Sequence, residues 1–262
     1  MRVIDVHVHV GYEKLPENCS EVSRRSENSV FELSYEDIVI EKVIFVPSFP
    51  CGNNTCSDGF YQQVKNKGDN PIWASVNPLG CNNVIEELER QISYGVVGIK
   101  LHPVHHGYSP NAYREEEMGL KALEEIYSFA QERKLPVMIH TGTSVGERSR
   151  NKFGDPLLID DVVKDFDITI ILAHSGRPLW YNTAFYLGRN YSNVYLEISS
   201  IPPEKILTEM PRLMEIEDKV LYGSDFPNYR KQNLAIHAYR VYRSLRSEKI
   251  MLYNAKSLLK LN

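Results

Sequence analysis

Asp5-Val6-His7-Val8-His9 places two imidazoles two residues apart near the start of the chain, with a carboxylate two residues before them. On a β-strand alternate side chains share a face, so Asp5, His7 and His9 are expected on one side and Val6, Val8 and Val10 on the other. In a barrel the valines would then pack against surrounding helices while the polar set points inward. A lone histidine of this kind is most simply a hydrogen-bonded core residue; a pair so spaced can converge on one cation. His140 ends the run Pro136-Val137-Met138-Ile139, His174 follows Ile170-Ile171-Leu172-Ala173, and Asp225 follows Leu221-Tyr222-Gly223-Ser224. Each is a candidate ligand at the C-terminal end of a different predicted strand, the end where barrel enzymes build their sites. Imidazole nitrogens plus a carboxylate suit zinc first, and manganese, iron or nickel are also compatible. The chemistry such an ion supplies is a bound water whose pKa falls from about 15.7 towards about 7.

Positioning those residues requires short buried strands separated by helices, and the sequence has that rhythm. Apolar runs at residues 3–10, 42–48, 72–77, 96–101, 136–140, 168–173, 193–198 and 219–223 are predicted strands. Most are rich in Val and Ile, as parallel strands covered on both faces are. Between them, residues 115–134 carry Leu120, Leu123, Tyr127 and Ala130 along one helical stripe, with Glu116, Lys121, Glu124, Glu125 and Arg133 as a solvated face. Residues 82–93, 156–165, 233–245 and 248–261 read as further helices, and 11–34 as a long polar loop. The sum is an α/β protein with a (β/α)8 TIM-barrel architecture, residues 1–262 forming a single domain. A doubly wound open sheet is disfavoured because no Gly-x-Gly-x-x-Gly follows the first strand.

Composition narrows the function classes. Thirty Lys and Arg against 34 Asp and Glu leave a net charge of −4, which does not suit nucleic-acid phosphates. No run approaches the roughly 18 apolar residues of a membrane span, and the first residues do not read as a signal peptide. The expected setting is therefore cytoplasmic, with no membrane and no nucleic-acid partner. Cys19, Cys51, Cys56 and Cys81 lack the second close pair of a zinc ribbon and are expected to be free thiols in a reducing compartment.

Asp5 to His9, His140, Ala173-His174-Ser175-Gly176 and Tyr222-Gly223-Ser224-Asp225-Phe226-Pro227 together resemble the amidohydrolase superfamily, and within it the amidohydrolase-related branch that includes aminocarboxymuconate-semialdehyde decarboxylase. The resemblance extends from the first strand to Asn254-Ala255. It implies a distorted TIM barrel in which His7, His9, His140 and Asp225 bind one metal, with His174 beside it polarising substrate or water and Asp225 relaying the proton of the attacking water. In two-metal members a carboxylated lysine bridges the ions. Lys100, in Gly98-Ile99-Lys100-Leu101-His102-Pro103, would fill that role, with His7, His9 and Asp225 on one ion and His140 and His174 on the other. An ordinary ammonium at Lys100, binding an anionic substrate beside a single ion, is the favoured reading. His102 shares the inward face of that strand with Lys100.

Arg148 and Arg177 follow His140 and His174 on their own loops, where a guanidinium could grip a substrate carboxylate through paired hydrogen bonds. A surface position is an equal alternative for Arg148. His105 and His106 carry no positional argument beyond a wall of the site; His237 reads as a structural mid-helix residue, and Tyr12 and Asn228 as pocket lining. The expected activity is hydrolysis of a small amide, ester or lactone, metal-bound hydroxide attacking a carbonyl. The alternative is a metal-dependent decarboxylase, a lyase acting on an unsaturated or aromatic acid with the same ligands. A barrel retained only for binding is disfavoured because all five proposed site residues are present. The partner is a small molecule of anionic character, and the family resemblance adds a homodimer as a common assembly. Loops at residues 11–34, 51–60 and 102–111 are expected to set selectivity.

Overall fold

Eight parallel strands run in chain order around a barrel: β1 (Arg2–Val8), β3 (Ile38–Phe45), β4 (Ile72–Ser75), β5 (Val96–Leu101), β6 (Val137–His140), β7 (Ile170–Ala173), β8 (Val194–Glu197) and β9 (Val220–Leu221). The computed structural model describes residues 1–9, 29–47, 56–146, 148–228 and 233–261. The strand order β1-β3-β4-β5-β6-β7-β8-β9 pairs each strand with the next one in sequence, as right-handed βα crossovers require. The segment after β9 closes the ring onto β1: Val6 N–H donates to the Tyr222 carbonyl at 3.1 Å, Asp225 N–H to His7 at 2.9 Å, and His9 N–H to Phe226 at 2.7 Å. The barrel expected from the apolar rhythm is thus present, and all eight predicted strands are barrel strands.

Two apolar layers follow from the strand alternation. Ile4, Val6, Ile44, Trp73, Met138, Ile171, Ala173 and Leu221 form an inner cluster, packed against Met1, Val97 and Tyr195 at the strand starts and against Leu252, Ala255 and Leu259 of the last helical segment. Their alternates, among them Val3, Val43, Ile72, Ile99, Ile139, Leu172, Leu196 and Val220, belong to a larger cluster shared with the helices. Trp73 reaches across the inside, its Nε1 donating to the Val6 carbonyl at 3.0 Å.

β1 departs from the simple alternation. Val8 joins the helix-side cluster as expected, but Val6 lies in the inner one. The pairing of β1 with β3 is irregular between Asp5 and Val8. Asp5 Oδ1 takes the His7 N–H at 3.1 Å and the Ser224 N–H at 3.0 Å, so the His7 amide is not spent on a neighbouring strand and the parity shifts by one residue. Val10 lies outside the described residues.

The helices run over residues close to those expected. Asn83 caps Val84–Ile92 by accepting the Glu86 N–H, and Asn233 caps Leu234–Leu245 by accepting that of Ile236, the role short polar side chains play at a helix start. The helix expected from residue 115 begins at Lys121, because Gly119 sits in the left-handed region at φ 59° and breaks the preceding turn. Its stripe Leu123, Tyr127 and Ala130 is buried. Residues 156–165 divide into a 3-10 turn (Pro156–Ile159) and a helix (Asp160–Asp165). The expected long loop is ordered at its end, where β2 (Ser34–Tyr35) pairs antiparallel with β3 and Val30 bridges to Asn233. Helix Tyr181–Asn190, unforeseen in the sequence, covers the crossover after β7.

Cys56 and Cys81 are joined in a disulfide, which corrects the expectation of free thiols there; Cys19 and Cys51 lie outside the described residues. Twenty-five residues apart in sequence, the two are brought together because residues 56–59 fold back along β4, where Asn77 N–H donates to the Cys56 carbonyl at 2.9 Å. None of the described helices is long and apolar enough to cross a membrane.

Candidate metal centre

The strand ends deliver a ring of buried polar groups to one rim of the barrel. His7 comes from β1 and His9 from the residue after it, Lys100 from β5, His140 from β6, His174 from the turn after β7, Glu197 from β8 and Asp225 from the segment after β9; all are at most 6% exposed. Several sit on backbone that only a tightly determined fold holds in place. His174, Ser175, Ser200 and Asp225 have φ of 65°, 48°, 59° and 58°, left-handed values that side chains rarely adopt and that concentrate where a site dictates geometry.

His7, His9 and Asp225 form one group whose ligand atoms face each other. Asp225 Oδ1 lies 3.1 Å from His9 Nε2 and 3.7 Å from His7 Nε2. The other nitrogen of each imidazole is spoken for: His9 Nδ1 donates to the Val46 carbonyl at 2.7 Å, and His7 Nδ1 to the Glu197 carboxylate at 3.2 Å. A carbonyl can only accept, so neutral His9 is protonated on Nδ1 and turns the lone pair of Nε2 towards a carboxylate oxygen. Two acceptors at 3.1 Å repel each other unless a positive charge lies between them. Tetrahedral ligands about 2.1 Å from zinc are about 3.4 Å apart, which is the scale of these separations. The residues therefore fit a divalent cation, with Glu197 holding His7 in the carboxylate–histidine–metal arrangement that fixes tautomer and ring orientation.

Charge states agree with that donor set. Burial would raise the Asp225 carboxyl, but pairing with His9 and positive charge on the His174, His7 and His9 rings hold it well below the usual carboxylate range, a pull that a cation among neutral rings would supply in their place. Burial lowers His9 and, strongly, His140 and His174, keeping their rings in the neutral form that binds metals. Asp225 Oδ2 accepts from the Ser200 hydroxyl, and Asn228 Nδ2 donates to Oδ1 at 3.3 Å.

Glu197 organises the next layer. Beyond His7 it accepts the His174 N–H at 3.1 Å, the Ser199 N–H at 2.7 Å and the Ser199 hydroxyl at 2.8 Å. Since Ser199 donates to Glu197, its oxygen is left to accept from His174 Nδ1 at 2.7 Å, and His174 Nε2 carries the lone pair. Gly223 has to be glycine here: a Cβ would overlap the Glu197 carboxylate and come within 2.8 Å of the His7 Cβ.

His140 stands beside His174, ring centroids 4.6 Å apart, and its Nε2 is buried with no hydrogen-bond partner among the described residues. One of its ring nitrogens also falls within ligand reach of His102 and His105. Lys100 is fully buried; its Nζ donates to the Leu101 carbonyl at 3.2 Å. Burial pulls its pKa down to about 7, against the charges of Glu197, Asp225 and Asp58, which raise it. His102 donates from Nε2 to the Pro47 carbonyl at 2.9 Å. Arg177 is half-buried three residues past His174, close enough to depress that imidazole by its charge, and its Nε is buried without a partner among the described residues. Arg148 is exposed. His237 is buried mid-helix with Nδ1 bonded to the Tyr222 hydroxyl at 2.9 Å. Tyr12 and most of the loops at 11–34 and 51–60 lie outside the described residues.

Sequence reasoning missed Glu197, Ser199 and Asp58. Glu197 carries the same mark as His140, a polar residue ending an apolar strand run. Asp58, whose Oδ1 is 3.0 Å from His106 Nε2 and whose Oδ2 accepts from Ser75, lies in a turn with no such mark.

A sequence model of the amidohydrolase family matches residues 4–235. No curated protein matches the chain. Among solved structures, an uncharacterised TIM-barrel protein of Bordetella bronchiseptica is 17% identical, with 100% of this chain and 99% of that one covered at a TM-score of 0.68. The 5-carboxyvanillate decarboxylase of Sphingomonas paucimobilis is 12% identical, covering 100% and 99% at 0.63. Dihydroorotase of Campylobacter jejuni is 15% identical, covering 100% and 84% at 0.59. At these identities the likeness establishes the barrel fold.

Proposed function

The chain belongs to the amidohydrolase family, and from that premise we propose that it is a metal-dependent hydrolase of a small amide, ester or lactone. The observation that carries this reading is the pair of acceptors His9 Nε2 and Asp225 Oδ1, 3.1 Å apart with His9 Nδ1 committed to a carbonyl. His7, His9 and Asp225 would hold one divalent ion, zinc by its ligand preference, leaving a position open as catalytic sites do. When bound, such an ion supplies Lewis acidity and makes a water acidic enough to ionise near neutral pH.

The chain's own residues supply the proton handling. Asp225 stays ionised, fixed by Ser200 and Asn228, and would take the proton of the attacking water on a carboxylate oxygen. His174 presents a lone pair at Nε2 because Nδ1 is tied to Ser199, so in its neutral form it suits accepting a proton from water better than donating to a carbonyl. Arg177 and Lys100 would attract an anionic substrate group, Lys100 as an ammonium at and below neutral pH. His102, held by Pro47, and Arg148, on the exposed side, would line the approach.

One observation favours the lyase alternative. The Nε of Arg177, buried beside His174 and without a partner among the described residues, would serve as part of the carboxylate clamp a decarboxylase needs. The test is a panel of lactones, esters, amides and aromatic acids, assayed for acid release and for carbon dioxide with zinc- or manganese-loaded protein. Acid release that disappears in Asp225→Asn supports hydrolysis. Carbon dioxide without hydrolysis overturns it in favour of the lyase.

A further inference from the structure

The disulfide between Cys56 and Cys81 is half-buried rather than sealed in the core, within reach of a dissolved thiol. It joins the turn at residues 56–59 to the turn that follows β4. The first of these passes through Asp58 at φ 53° and Gly59 at φ 78°, values that only glycine adopts freely, so it depends on anchors at its two ends. Fully buried Phe60 anchors one end, its N–H on the Ser57 carbonyl at 2.8 Å. At the other end, among the described residues, Cys56 has the disulfide and one backbone hydrogen bond, from the Asn77 N–H at 2.9 Å. Asn77 opens the second turn, its Oδ1 accepting the Leu79 N–H and its carbonyl the Gly80 N–H, both at 3.0 Å, which leads the chain to Cys81.

What the first turn carries is Asp58, a buried carboxylate. Its Oδ2 accepts from the Ser75 hydroxyl at 3.0 Å, and its Oδ1 lies 3.0 Å from His106 Nε2. A carboxylate accepts, so His106 carries its proton on Nε2 and Asp58 fixes the ring. His106 ends the helical turn Pro103–His106 that follows β5. Four residues of helix have almost no stability of their own, so this turn relies on its attachments. They include Asp58 through His106, the Arg150 N–H on the Val104 carbonyl at 2.8 Å, and the bond from His102 Nε2 to the Pro47 carbonyl at 2.9 Å. The turn also reaches the candidate metal centre, with the His105 ring 4.9 Å from that of His140. We infer that the Cys56–Cys81 bond is a reversible redox site that sets the position of Asp58 and, through it, of the wall formed by residues 102–106. A dithiol reductant opens it: one thiolate attacks a sulfur of the bond, and the second closes on the mixed disulfide. Two electrons and two protons pass to Cys56 and Cys81, leaving two protein thiols and the oxidised reductant. The inference asks nothing of the metal ligands and stands whichever reaction the rim supports.

The test compares oxidised full-length protein, protein treated with dithiothreitol, and the Cys56→Ser/Cys81→Ser double variant. Hydrogen exchange reads the backbone, the nitrogen-15 spectrum of neutral imidazoles reads the His106 tautomer, and alkylation with peptide mass spectrometry identifies the opened thiols. The double variant keeps Cys19 and Cys51, so an effect it shares with the reduced protein belongs to this pair. Folded protein is expected to be reduced at Cys56 and Cys81. Amide exchange at residues 57–64 and 103–107 should then rise at least about tenfold, while strands Val137–His140 and Ile170–Ala173 keep their protection. The His106 signal should leave its Nε2-protonated form. Asp58→Gly, which suits the left-handed φ, removes the carboxylate with the bond intact and should reproduce the His106 change. Three results each overturn the inference: a bond that resists reduction in the folded protein, protection lost evenly across the barrel strands, or an unchanged turn and imidazole after reduction.

Discussion

Replacing Glu197 with Gln asks how much of the metal site depends on a residue that touches no metal. The carboxylate accepts four hydrogen bonds: His7 Nδ1, the His174 amide and the Ser199 hydroxyl at Oε2, and the Ser199 amide at Oε1. Glutamine has one acceptor oxygen. Its better placement keeps that oxygen at the three-donor side and turns NH2 onto the Ser199 amide, leaving both the Ser199 N–H and the new NH2 without acceptors, at about 1–3 kcal/mol of stability each. The larger effect is on His7, which loses the carboxylate that fixes its tautomer and ring orientation. Losing such a partner weakens metal binding by about 10–100-fold, or about 1.4–2.8 kcal/mol. Competition against a chromophoric chelator at neutral pH measures this directly, with circular dichroism of the metal-free variant confirming the fold. Wild-type affinity in a folded Glu197→Gln protein would refute the idea that Glu197 orients His7.

Two further outcomes follow from the same packing. Gly223→Ala drives a methyl group into Glu197 and His7, so it should lower metal affinity at least as far as Glu197→Gln does, while Gly68→Ala, in open space but at φ 55° where a side chain is strained, should leave affinity unchanged and so separate the clash from backbone strain elsewhere. Buried Lys100 has a pKa near 7 in the fold against 10.5 unfolded, so between those values the unfolded chain binds more protons and stability rises with pH. Metal-free protein should gain about 2 kcal/mol from this group between pH 7 and 9 in denaturant titrations, and Lys100→Met should abolish the gain. An equal gain in the variant would show that another group titrates.

The barrel was legible because its signal is repeated: eight Val- and Ile-rich runs, each ending near a polar residue, leave few other architectures. The same logic located His7, His9, His140, His174 and Asp225, since a histidine closing an apolar run has little reason to be there unless it serves the rim. It failed where local hydrogen bonds override periodicity. Asp5 captures the His7 amide and shifts the register, so Val6 turns inward, which no alternation rule contains. Glu197 was legible by the rule that found His140, but acidic residues are too common at strand ends to stand out. The Cys56–Cys81 link was hidden for a different reason: it depends on the path of residues 56–59 along β4, a tertiary fact.

Crystals of metal-loaded protein, measured on both sides of the zinc absorption edge, address the first coordination sphere directly. An anomalous peak about 2.1 Å from His7 Nε2, His9 Nε2 and Asp225 Oδ1 is the expected result. Fully loaded crystals with no peak among those three atoms, whatever appears elsewhere on the rim, would contradict it.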